Sequence, residues 1–121
     1  MISEFTIKAV AQAVEEELAF SKVQHEEKFH SLHEAESVIR EELEELEEEL
    51  ESCWKIFEKI HECVREDTAD KAADHARTME NMAVYAAYEA IQLAAMCQKL
   101  MEMEECGKQC SREEKNRMAE N

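Results

Sequence analysis

The 121-residue chain has no proline and a single glycine. These residues punctuate tight turns and sheet corners, so their scarcity argues against a many-stranded fold and leaves few places where a helix must stop. No apolar run approaches the roughly 20 residues that span a bilayer. The start, MISEFTIKAV, has neither the basic opening nor the long apolar core of a secretory signal. A cytoplasmic protein without a membrane partner is the expectation. Basic residues are the minority, 14 Lys and Arg against 30 Asp and Glu, for a net charge of -16. That balance excludes the clustered positive charge with which proteins grip a nucleic acid polymer. The five cysteines are odd in number and form no CxxC pair, which points to neither a zinc ribbon nor a fully paired disulfide framework.

What remains is a chain that is 45% hydrophobic and 36% charged, enough for a helical core beneath a solvated exterior. The expected class is all-α: an N-terminal helix followed by a long antiparallel helical hairpin. One domain is expected over residues 1–106, with a frayed tail over 107–121 after the apolar period is lost. The first helix is expected from about Ser3 to about Lys28, with Ile7, Val10, Val14 and Leu18 at helical spacing. Ser31 and Glu34 have the S-x-x-E spacing of a capping box and should open the second helix. That helix carries Ile39, Leu43, Leu46, Leu50, Cys53, Phe57, Ile60 and Val64 at alternating steps of three and four, the repeat of a long packed seam. The third repeats the pattern with Ala72, Ala76, Met79, Ala83, Ala86, Ala90, Leu93, Cys97 and Leu100. Cys53 and Cys97 are read on these stripes as small core residues. One shorter helix cannot cover a hairpin roughly 50 Å long, so the leftover apolar stripe around Trp54 and Phe57 predicts a homo-oligomer, a dimer or a tetramer.

The acidic run from Glu41 to Glu51 carries the chemistry. Glu42 and Glu45 border the apolar stripe of the second helix, and Glu89 and Gln92 border that of the third. Residues 42 and 92, like 45 and 89, are equidistant from position 67, in the turn-like stretch Glu66-Asp67-Thr68-Ala69-Asp70. Folding there brings the two pairs face to face. Converging oxygen ligands suit Mg²⁺ or Mn²⁺. A Glu-rich helix also produces E-x-x-E spacings by chance, and the alternative is a solvated acidic face.

The segments HSLHEAESVIREELEELEEEL (30–50) and YEAIQLAAMCQKL (88–100) resemble the MazG-like all-α nucleoside triphosphate pyrophosphohydrolases, in particular short phage and prophage members. The likeness spans about half of the chain. Glu41, Glu42 and Glu45 match the E-E-x-x-E motif of that family. Glu89 matches the Glu of its E-x-x-D motif, and Gln92 stands where Asp is usual. The resemblance implies Mg²⁺- or Mn²⁺-dependent hydrolysis of NTP or dNTP to the monophosphate and pyrophosphate. Glu42, Glu45, Glu89 and Gln92 would hold metal, and Glu41, Glu42 and Glu45 would serve catalysis. Tyr85, on the flank of Glu89, is placed to stack against a base or to pack as a partly buried aromatic. The competing reading is a non-catalytic helical interaction protein. Glu27-x-x-His30 and Glu58-x-x-His61 have the spacing of di-iron bundles, but a chain this acidic produces such pairs at random.

Overall fold

The computed structural model describes the backbone of residues 1–120 and the side chains of residues 1–103. It is all-helical: α1 (Glu4–Gln24), α2 (Leu32–Glu66) and α3 (Ala69–Glu120). The expected tail over 107–121, like Cys106 before it, lies outside the residues whose side chains are described. No helix among the described residues is long and apolar enough to cross a membrane.

Local chemistry sets the helix ends. Ser3 caps α1, its hydroxyl accepting from the Thr6 amide at 3.1 Å. The Ser31 hydroxyl accepts from the Glu34 amide at 3.1 Å, and the Glu34 carboxylate reaches back to the His30 amide at 3.2 Å. The expected capping box is present, displaced by one residue on its return arm. At the far end of α2, Asp67 takes a left-handed conformation with φ 56. The Asp67 amide donates to the Val64 carbonyl at 3.4 Å and the Thr68 amide to the Cys63 carbonyl at 3.0 Å. This is the Schellman pattern with Asp where glycine is usual, and it reverses the chain within two residues.

Contacts divide the chain into two compact units, Met1–Ile39 with Gln92–Asn121, and Arg40–Ile91. In the first, Val14, Phe29, Ala35, Ala95 and Met96 are buried. The helix expected to reach Lys28 ends at Gln24, and His25 is extended. The early stop frees the chain to turn Phe29 inward, where the Lys99 ammonium lies 4.8 Å from its ring centroid. Lys99 itself is 3% exposed, so the cation meets the ring with little competing water. Lys22 pairs with Glu102 at 2.8 Å in the same unit. Ile7 and Val10, the first members of the helical repeat in α1, are exposed; the buried stretch of α1 begins at Val14.

The second unit is the antiparallel hairpin. Its seam differs from the expected one by a rotation of about one residue. On α3, the half-buried or buried positions of this unit are Ala72, His75, Met79, Met82, Ala86, Glu89 and Ile91, whereas Ala76, Ala83 and Ala90 are exposed. On α2, Glu42, Glu45, Leu46, Glu49, Cys53, Ile56, Ile60 and Cys63 are at least half-buried, and Leu43, Leu50, Phe57 and Val64 are exposed. Each apolar stripe is thus half used: one set of its positions faces the partner helix and the other, seven residues apart, faces outward. Cys53 is buried as expected, but Cys97, in the first unit, is exposed. There α3 turns Ala95, Met96 and Lys99 inward, a direction that leaves Cys97 on the outer side.

Candidate metal centre

The rotation of the hairpin seam puts carboxylates at contact positions. Glu42 and Glu45 are one helical turn apart on α2, and Glu89 comes from α3. One ligand atom from each lies within 4.8 Å of the others. The Glu45 and Glu89 side chains are hydrogen-bonded to each other. Glu42 and Glu89 are half-buried, so their charges are only partly hydrated. Glu49 adds a further negative charge at the same place.

The electrostatic consequence falls on Glu89. Its carboxyl is pushed up from 4.5 to about 7, first by burial, then by the hydrogen bond with Glu45 and by the charges of Glu45, Glu42 and Glu49. Near neutral pH a proton shared across the Glu45–Glu89 contact relieves the repulsion between like charges. A divalent cation would relieve it more completely. The donors are all carboxylate oxygens, the set preferred by hard cations such as Mg²⁺ and Mn²⁺ rather than by soft metals. On donor chemistry and charge, these residues fit such an ion.

The remaining expected site residues fall as follows. Glu41 is exposed, one residue around the helix from Glu42. Tyr85 is also exposed and stands edge-on to Tyr88 with ring centroids 5.8 Å apart. Gln92 is half-buried and belongs to the first unit. Glu27 and His30 are exposed, and His30 meets Glu26 at 2.7 Å. His75 is half-buried on the seam, at three- and four-residue steps from Ala72 and Met79.

No family model matches the chain, and no curated protein or solved structure matches it.

Proposed function

We propose that this chain is a nucleoside triphosphate pyrophosphohydrolase that depends on Mg²⁺ or Mn²⁺ and releases the monophosphate and pyrophosphate. The observation that carries the proposal is the convergence of Glu42, Glu45 and Glu89 across the hairpin. Two of these residues belong to the E-E-x-x-E segment on which the family resemblance rests. A cation held there by Glu42, Glu45 and Glu89 would supply Lewis-acid polarisation of a phosphate and would make a bound water more acidic than bulk water. Glu42 and Glu45 would hold the cation from α2. Glu89 contributes a carboxylate only after giving up its proton, which ties function to pH. Tyr85 offers a stacking surface for the base, and Glu41 lies in water at the edge of the site.

The test is pyrophosphate release from a panel of normal and modified nucleoside triphosphates with Mg²⁺ or Mn²⁺. Turnover should fall roughly 100-fold or more in Glu42→Gln and Glu45→Gln, because losing a ligand should cost at least as much as losing a group that merely orients one. An inactive wild type, or variants with unchanged turnover, would remove the enzyme reading. The second reading, a helical interaction protein, is favoured by the exposed row of Leu43, Leu50, Phe57 and Val64. It predicts no turnover and no saturable cation binding.

A further inference from the structure

The positions one residue back from the hairpin seam turn both helices toward a single side. Beside the carboxylate cluster these include Glu41, Glu44 and Glu48 on α2 and Tyr85 and Tyr88 on α3, all exposed. Counting outward from the Glu45–Glu89 contact, Tyr85 is level with Glu49 and Tyr88 with Leu46, so Glu44 and Glu48 share the height of the two rings. Tyr85 and Tyr88 are 58% and 55% exposed, too open to serve the core, and they meet edge to face at 86° with centroids 5.8 Å apart. Tyr85 precedes Glu89 by four residues, about 6 Å along α3, a step that a ribose spans between phosphate and base.

The charge around this pair has one sign. Residues 41–54 hold eight glutamates and residues 78–91 hold two, and neither stretch contains Lys, Arg or His. The face of an aromatic ring is the negative pole of its quadrupole and attracts a cation placed over it. Two rings at right angles form a corner: a base that stacks on one turns an edge toward the other. A carbonyl edge is repelled there by the π cloud and by the carboxylates around it, whereas a positively charged edge is attracted by both.

Taking the chain to be the nucleotide hydrolase proposed above, we infer that Tyr85 and Tyr88 form its base-recognition corner and select nucleotides whose base is N-alkylated and positively charged. Stacking alone tolerates any base, because every base has a π face. The charge makes the difference: cation–π attraction at an exposed site corresponds to about two- to fivefold in affinity. With the phosphates on the cation at Glu42, Glu45 and Glu89, the glutamates beside the rings act on the base end of the ligand.

The experiment uses the full chain. Pyrophosphate release is measured near neutral pH with 3-methylcytidine and 1-methyladenosine triphosphates, whose bases are cationic there, against CTP and ATP. In the wild type kcat/KM should favour each alkylated substrate by about two- to fivefold. Tyr85→Leu and Tyr88→Leu should bring that ratio to about one, and Tyr85→Phe and Tyr88→Phe, which keep the ring faces, should restore it. A second measurement needs neither turnover nor metal. Tyr85 and Tyr88 are the only tyrosines of the chain, so their ring resonances report the corner directly, and they should shift on titration with 3-methylcytidine more than with cytidine. A ratio that the Leu substitutions leave unaltered, or resonances that respond equally to both nucleosides or to neither, would overturn the inference. A wild type without turnover whose tyrosines still favour 3-methylcytidine would remove the enzyme and keep the corner. Turnover with a wild-type ratio of about one would keep the enzyme and remove the selection.

Discussion

Glu89 is the residue where the competing forces on this chain meet. Its carboxyl titrates near 7 when folded, against an ordinary value of 4.5, so the folded protein binds the proton more tightly than the unfolded one. The stability this group contributes is fully present below about 4.5 and is lost as pH rises through about 7. Glu89→Gln keeps a neutral, hydrogen-bonding side chain at every pH. Its thermal midpoint should match that of the wild type near pH 4.5 and exceed it at pH 8 by a few degrees, about what 1 kcal/mol is worth in a domain of this size. Equal midpoints at pH 8 would mean that the cluster is not repulsive. The same proton competes with a cation. Mg²⁺ or Mn²⁺ affinity should therefore rise between pH 6 and pH 8, with protons released on binding. Calorimetry in two buffers of different ionisation enthalpy reads that release directly. Sequence alone placed Glu42, Glu45 and Glu89 near one another but gave no sign that Glu89 lies on the seam, because a hydrophobic-period search skips every acidic residue.

The helix ends were legible because capping is local: Ser31, Glu34 and the turn around Asp67 act through neighbours a few residues away. Ser31→Ala should cost about 1 kcal/mol of stability in urea unfolding. Asp67→Gly should recover up to about 1 kcal/mol, since glycine takes a left-handed conformation without the steric penalty borne by an L-residue with a side chain. A destabilised Asp67→Gly protein would mean that the Asp side chain, rather than the backbone, holds the turn. The seam direction was less legible. Leu43, Leu46, Leu50 and Cys53 define an average apolar direction, and that average lies between the face turned to α3 and the face turned outward. The sequence records the sum of both demands. Only the burial of Leu46 and Cys53 against the exposure of Leu43 and Leu50 separates them.

At the scale of the whole molecule, a net charge of -16 opposes any self-association. The homo-oligomer expected from the leftover apolar stripe around Trp54 and Phe57 would bring two or more such molecules together. Its dissociation constant should tighten as NaCl rises from about 50 to 300 mM, because added salt screens repulsion that acts across distances near the Debye length. Its thermal midpoint should rise with protein concentration, as folding linked to association requires. A midpoint independent of concentration between 1 and 100 µM would contradict that linkage.

The two-residue reversal at Asp67 and Thr68 makes the hairpin a ruler folded in half. Every cross-helix pairing is set by counting outward from the fold, so a single inserted residue on one arm would turn that arm by about 100° and spoil every pairing beyond the insertion. Matched cuts of seven on both arms would not, since seven residues are nearly two whole turns and leave each face within about 20° of its former heading. Excising residues 53–59 together with 75–81 should yield a shorter hairpin whose Glu89 still titrates near neutral pH. The reach of this protein can therefore be changed independently of its acidic cluster, in units of seven.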